Sequence, residues 1–480
     1  MPRTSTKRPH HNLTFAVLLL GVGAFSLLQS LVVPVLPTLM ERLHTTQDTA
    51  TWLMTGYLLS ASVATPILAR IGDKVGKERM LIVTLVALAA GSALAGASHS
   101  VGPMIVARII QGTGGAVVPL AFGIIRDEFP PAKVRSAVGV TAALTAVGAG
   151  LGLILAGPIV DHLDYHWLFW APMILVCAAA IATYLFVPES PVRVPGRIDW
   201  RAGLLLSVWL VALLLAVSEG QKWGWGSLRI MGLFAAAVVF AGYWIVTELR
   251  SDNPLIDMRV MRIPAVWTTN LVALLFGIGM YTSMTFLPQL VQTPEHLAGY
   301  GFTASVTRSG IYMLPMTGGM FALGVLAGKL AARHGSKRVL IAGSLITIAP
   351  FAMLALRHDH AWQIYTASAL IGVGLGLAFS AMSAIVVEAV PPAQTGAASG
   401  MNANIRTIGG AIGSAVAASI LSSGVTATHP FPDDSGYTST FWFLTISAGL
   451  AAAASLAIPT ARRRRSDHSV GSPRLTTVNR

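Results

Sequence analysis

Cysteine occurs once, at Cys177 inside an apolar stretch, which excludes a disulfide within the chain. Acidic residues are also scarce, 20 Asp and Glu against 33 Lys and Arg, and every one of them falls in a loop or near the end of an apolar run. Asp161 and Glu388 come closest to membrane depth. A membrane-embedded hydrolase or transferase needs paired carboxylates, a nucleophile with its base, or a set of metal ligands. None of these is present, and the histidines are scattered through loops and the N-terminus, so the reading is of a chain that is not an enzyme and holds no metal or other cofactor.

Charge of either sign is sparse, at 11% of residues, where a soluble domain carries about a quarter. Hydrophobic residues make up 54%, with a mean hydropathy of +0.66. A helix crossing the bilayer needs about 20 mostly apolar residues. Fourteen such stretches are present, at 13–37, 50–70, 80–98, 102–125, 137–160, 167–187, 201–217, 229–249, 265–290, 309–331, 338–355, 362–386, 398–421 and 441–459. The first is too long, and too well followed by others, to be a cleaved signal peptide. The net charge of +13 does not point to nucleic acid, because almost all of the Lys and Arg lie in loops, termini or helix ends. With the N-terminus inside, most of them face the cytoplasm, the bias that sets membrane orientation. Both termini are then cytoplasmic, and Arg462 to Arg465 can meet anionic lipid headgroups.

One hydrophilic segment is written twice. Ala69-Arg70-Ile71-Gly72-Asp73-Lys74-Val75-Gly76-Lys77-Glu78-Arg79 is echoed by Gly328-Lys329-Leu330-Ala331-Ala332-Arg333-His334-Gly335-Ser336-Lys337-Arg338. Glu128-Phe129-Pro130-Pro131-Ala132 is echoed at nearly the same offset by Glu388-Ala389-Val390-Pro391-Pro392-Ala393. Such repetition at a constant spacing indicates two related halves, a layout typical of transporters. Spans one to six map onto spans nine to fourteen, and the seventh and eighth have no counterpart. The fold class is therefore an all-α polytopic membrane protein with 14 transmembrane helices: two pseudo-symmetric six-helix bundles with two extra helices between them. The expected divisions are 1–187 for the first half, 188–264 for the linker with the extra pair, 265–460 for the second half and 461–480 for a basic cytoplasmic tail.

Two cations remain inside the spans. Arg108 lies about 9 Å from the outer end of its stretch and Arg406 about 12 Å from the inner end of its own, at ~1.5 Å rise per residue. A mid-bilayer charge is costly unless it faces a polar cavity or a partner. Gln111 shares a helix face with Arg108, and Asn402 with Arg406, so both arginines are expected in a water-filled cavity. Without an acid, this pair favours anionic or neutral polar cargo. Gly112, Gly148, Gly152, Gly157 with Pro158, Gly409, Gly410 and Gly413 suit close helix packing, either static or sliding. Tyr281, Met284, Tyr312, Met313, Met316 and Met320 offer either an adaptable substrate wall or ordinary packing.

The first loop, with Asp73, Gly76, Lys77 and Leu81 in register, resembles the signature loop of the major facilitator superfamily. Arg108-Ile109-Ile110-Gln111-Gly112-Thr113-Gly114 is similar to that superfamily's fourth-helix motif. Fourteen spans, Asn253-Pro254-Leu255-Ile256-Asp257, and Ala398 to Asn402 leading into Arg406 to Gly413 resemble its drug:proton antiporter branch. The resemblance implies an alternating-access exporter of amphipathic small molecules, driven by the proton gradient in a bacterial inner membrane and acting as a monomer among lipids. It implies a cytoplasmic latch at Asp73, Gly76, Lys77 and Arg79, and a cavity or coupling role for Arg108. This chain departs from the pattern at Leu28, where the branch carries an acid, leaving Gln29 and Ser30 as the nearest polar groups. It departs again at Gly152-Leu153 and at Ala332, which replaces the acid in the second loop. Asp73, Asp161 and Glu388 are the candidate proton carriers. Two alternatives stay open: a dedicated exporter of one metabolite, lipid or antibiotic with little or no proton coupling, and a membrane sensor that transports nothing.

Overall fold

The computed structural model describes residues 11–190, 199–423 and 431–459. The basic run at Arg462 to Arg465 and most of the 188–199 linker lie outside these. Among the described residues, 14 helices are long and apolar enough to cross a membrane. In hydrocarbon each backbone N–H and C=O needs an internal partner, so long apolar runs close into helices. The helices are α1 (His11–Ser30), α2 (Gln47–Val75), α3 (Lys77–Gly96), α4 (Val101–Glu128), α5 (Pro131–His162), α6 (Trp167–Phe186) and α7 (Trp200–Trp223). They continue with α8 (Leu228–Arg250), α9 (Pro264–Gln292), α10 (Val306–His334), α11 (Ser336–Leu356), α12 (Ala361–Ala389), α13 (Thr395–Ser422) and α14 (Asp434–Leu456).

Local chemistry sets many of the starts. Pro131 and Pro264 occupy first positions, where the missing N–H costs nothing. Thr46, Asp199, Ser227 and Ser305 accept hydrogen bonds from N–H groups of their helices' first turns. The duplicated loops are single-residue breaks. Gly76 (φ 132°) joins α2 to α3 and Gly335 (φ 90°) joins α10 to α11, a backbone region open mainly to glycine.

Some boundaries differ from the sequence expectation. The first span ends at Ser30, and a separate short helix, Leu36–Arg42, follows Pro34. The fifth begins at Pro131, ahead of the expected 137, with Pro131 fixing its first position and Arg135 paired with Glu388 of α12. In α4 a 3-10 turn at Thr113–Ala116 interrupts the helix beside Gly114 and Gly115.

The packing repeats as the sequence does. In the first group α1 packs on α5 and α6, α3 on α6, and α4 on α2 and α3. In the second, α9 packs on α13 and α14, α11 on α14, and α12 on α10 and α11, the same pairings shifted by eight helices. Two seams join the groups, α5 against α10 and α2 against α13. The unpaired helices α7 and α8 pack on each other, and α7 also lies against both α2 and α13.

Candidate functional site

At the end carrying the duplicated loops, polar contacts tie the two groups together. Asp73, buried in the last turn of α2, accepts a hydrogen bond from the Ala397 N–H at 3.3 Å. That amide belongs to the first turn of α13, where free N–H groups and the helix dipole favour a carboxylate. Gly396 makes the approach feasible, since a Cβ there would stand 3.0 Å from Asp73 Oδ1. Arg126, near the end of α4, donates to the Val387 carbonyl oxygen of α12 and to Thr395 Oγ1 at 3.0 Å. Arg135 of α5 forms a two-pronged ion pair with Glu388 of α12, one arm being 2.9 Å.

Lys77 stands behind this contact. Its side chain is 0% exposed, with Nζ 2.5 Å from Asp127 Oδ2 and 3.7 Å from Asp73 Oδ1. Asp127 also accepts from the Ser190 hydroxyl. Lys77 therefore braces Asp73 within the first group. Arg79 is placed differently from Asp73: it pairs with Glu189 at 3.0 Å, and Gly76 abuts the same carboxylate, so neither reaches the second group. In the second loop the Asp73 and Lys77 positions are Ala332 and Ser336, and Lys337 instead donates to the Leu456 carbonyl oxygen at 2.8 Å.

A cationic centre is built inside the first group. Arg108 is fully buried. Its Nε donates to the Leu53 carbonyl oxygen at 3.1 Å and its Nη1 to Gln111 Oε1 at 2.9 Å. Gln111 in turn donates to Ser92 Oγ at 3.2 Å. The Tyr57 ring covers the guanidinium at 4.4 Å, a cation–π contact that strengthens when water is excluded. Arg108 is thus enclosed by protein groups of the first bundle, where the sequence reading placed it facing a water-filled cavity. Arg406 is only partly buried and rests over the Phe379 ring at 4.9 Å. Asn402 donates to Asn270 Oδ1 at 2.8 Å, on a contact between α13 and α9.

The remaining candidates separate by location. Ser30 is buried and bonded to backbone carbonyls of its own helix, while Gln29 is partly exposed. Gly148 and Gly152 face α1, Gly112 faces α2, and Gly409, Gly410 and Gly413 face α9, all within one group. Gly157, followed by Pro158, faces Thr307 of α10 across the seam. Tyr281 and Met284 are partly exposed. Tyr312, Met313, Met316 and Met320 are packed into the interior of the second group, where Tyr312 stacks on Tyr365 at 4.7 Å. Sequence reasoning missed Tyr57, Ser92, Asp127, Arg126 and Asn270. Their partners come from other helices, so no spacing within one helix announces them.

The glycines give a direct stability test. A Cβ at Gly152 would lie 2.7 Å from the Leu27 carbonyl oxygen, so Gly152→Val is expected to cost about 1–3 kcal/mol through overpacking. Gly242 in α8 has open space around it, and Gly242→Ala is expected to add about 0.4–1 kcal/mol. Thermal unfolding midpoints in detergent micelles should move in opposite directions for the two variants.

Two repeated helix groups, seamed together and tied by polar contacts at one end, define a multi-pass membrane transporter. Its family follows from the sequence itself, which matches the Major Facilitator Superfamily over residues 18–327 and 269–477, and the chain belongs to that superfamily. It is 28% identical over 422 residues to the tetracenomycin C resistance and export protein of Streptomyces glaucescens, covering 87% of this chain and 77% of that one. It is 28% identical over 418 residues to multidrug resistance protein 3 of Bacillus subtilis, covering 86% and 80%. Against an uncharacterized MFS-type transporter of Mycobacterium tuberculosis it is 28% identical but spans only 58% of that relative's length. Among solved structures, the human organic anion transporter MFSD10 shares the fold with a TM-score of 0.67 at 17% identity, over 94% of this chain and 100% of that one. The proton:xylose symporter XylE shares it with a TM-score of 0.66 at 14% identity, over 93% and 96%.

Proposed function

We propose that this chain exports amphipathic small molecules, drugs or antibiotics among them, by alternating access in exchange for protons. It would act as a monomer in a bacterial inner membrane with both termini in the cytoplasm, and would need no bound cofactor. The observation that carries the reading is the Asp73 latch. A single carboxylate holds the first turn of α13 from the opposite group, where a proton would weaken the grip. The names of the relatives, a resistance and export protein and multidrug resistance proteins, fit a cargo of this kind.

Proton exchange through a latch requires no acid in mid-membrane, which agrees with Leu28 being a buried apolar residue. The same Leu28 favours a second reading, a dedicated exporter with weak coupling to protons. Efflux from proteoliposomes under an imposed pH gradient separates the two. Gradient-driven efflux is expected to cease when an ionophore collapses the gradient, and Arg108→Ala is expected to lower it at least about tenfold, through loss of its charge-assisted hydrogen bonds to Leu53 and Gln111. Efflux that continues unchanged after collapse would leave only the dedicated exporter. No movement of any cargo by well-folded protein would return the sensor.

A further inference from the structure

We propose that the inserted hairpin carries a second closing device at the Asp73 end, in which Glu248 positions residues 254–257 so that Arg70 of the first group can hold them. This inference rests on the alternating-access part of the exporter reading and gives α7 and α8 a place in it. The segment Asn253-Pro254-Leu255-Ile256-Asp257 follows α8 directly, and Pro254 cannot continue a helix. Leu255 and Ile256 turn back and are buried in an apolar cluster with Leu206, Trp209 and Leu210 of α7 and Met401 of α13. Their backbone is buried with them, so its polar groups need partners within the protein. Glu248, in the last turn of α8, supplies one. Its Oε1 accepts from the Ile256 N–H at 3.2 Å and from Trp244 Nε1 at 3.1 Å.

The segment so placed is gripped from both groups. Arg70 of α2 donates through Nη2 to the Pro254 carbonyl oxygen at 2.9 Å. From the other side Gln394, in the 3-10 turn that leads into α13, donates to Asp257 Oδ2 at 3.4 Å. Asp257 Oδ1 meanwhile caps the short helix Met258–Met261, accepting from the Arg259 N–H at 2.9 Å. Beyond that helix the chain enters α9, and Val260 packs with Val266, Val386, Val390 and Ala398 of the second group. Chain continuity and packing therefore attach the segment to the second group. Arg70 and Asp73 share a face of α2 and hold that group at two points, Asp73 directly and Arg70 through Pro254. When α2 parts from α13 at this end, the Arg70–Pro254 bond is the one that breaks.

Two atoms show that this grip is built to release. Glu248 is 2% exposed and Arg70 4%, and Glu248 Oε2 and Arg70 Nε are both buried with no hydrogen-bond partner. Buried polar atoms in a permanent staple are nearly always paired. Leaving a polar atom dry and unpaired is costly, and opening this end admits water to both. The bonds that close the end are thus offset by two atoms that gain when it opens, which keeps the device reversible.

Maleimide labelling of Ser399→Cys in a Cys177→Ala background, which has no other thiol, provides the test. Ser399 is buried one turn beyond Thr395, which accepts from Arg126 of the first group, so it becomes reachable when this end opens. Arg70→Ala and Glu248→Leu are each expected to raise the labelling rate about tenfold, the loss of one charge-assisted hydrogen bond from the closed end. Glu248→Gln keeps an acceptor oxygen for the Ile256 N–H and should stay within about twofold of the parent. Arg70→Ala with Glu248→Leu should give no more than the larger single effect, because Arg70 has nothing to hold once the segment is loose. Glu248→Leu with Asp73→Asn should multiply, because those two grips are separate. Gln394→Ala, at a partly exposed residue whose loss the fold tolerates, should raise labelling about threefold. Unchanged labelling in Arg70→Ala and Gln394→Ala, or effects of Arg70→Ala and Glu248→Leu that multiply, overturns the inference. Either result beside intact gradient-driven efflux by the parent overturns it alone. The expected labelling pattern in a folded protein that moves no cargo would sink the exporter reading and leave the closing device standing.

Discussion

Asp127→Ala is expected to lower stability by about 3–5 kcal/mol, the usual cost of removing one partner from a buried ion pair. Lys77 is completely enclosed, and Asp127 at 2.5 Å is its nearer acid. Without it the ammonium keeps only Asp73 Oδ1 at 3.7 Å, and the Ser190 hydroxyl loses its acceptor. The carboxylate, rather than the packing, should carry the effect. The double substitution Lys77→Met with Asp127→Leu removes both charges and should recover part of the loss, the remainder staying with Asp73, which loses its ammonium at 3.7 Å. Unfolding midpoints in micelles test both statements. A loss below about 1 kcal/mol for Asp127→Ala would mean that Lys77 is hydrated or repaired elsewhere.

Asp73→Asn should act on conformation more than on stability. The amide keeps the size of the carboxylate but loses its charge toward the first turn of α13 and toward Lys77. A hydrogen bond to a charged group contributes about 1.5–3 kcal/mol, so the latched arrangement should lose about 10- to 100-fold in population. Ala69 is fully buried next to Gly400 of α13, in the seam that must part. In a Cys177→Ala background, which contains no other thiol, Ala69→Cys should react with a maleimide about 10- to 100-fold faster when Asp73 is Asn. Equal labelling rates would show that Arg126 and the Arg135–Glu388 pair hold the seam without Asp73. Efflux should fall in the same variant, since a transporter that cannot close one end cannot complete its cycle.

The 14 helices and the inserted pair were legible because the bilayer admits few other solutions: a run of about 20 apolar residues must close its own backbone bonds. The boundaries were less so. The apolar run through Leu31, Val32 and Val33 hid the break before Pro34, and α5 extends through Lys133 and Arg135, whose charge suggested a loop. Within the site, Arg108 with Gln111 was readable as a pair three residues apart on one helix. The cage around them was not, since Tyr57 and Ser92 come from α2 and α3. Hydropathy likewise marked Glu388 as an acid near membrane depth. It could not show that Arg135 occupies that acid, because the two meet only when the groups pack.

The two helices without counterparts bear on how lipid meets the seams. Thr55 of α2 and Ser218 of α7 lie 3.2 Å apart, and Gln221 of α7 donates to Ser422 of α13, both near the end opposite the latch. At the latch end, Arg70 of α2 donates to the Pro254 carbonyl oxygen at 2.9 Å, and Gln394 reaches Asp257 at 3.4 Å. The hairpin and the segment that follows it are thus bonded to both groups, the hairpin near one end and residues 254–257 near the other. A solute dissolved in the leaflet beside α2 meets α7 before it meets the α2–α13 seam. On the other flank it meets α5 and α10, whose backbones touch from Ser136 against Gly328 to Ile154 against Gly310. A fold that its repeat would leave with two equivalent flanks is sheathed on one by the inserted pair and tightly jointed on the other.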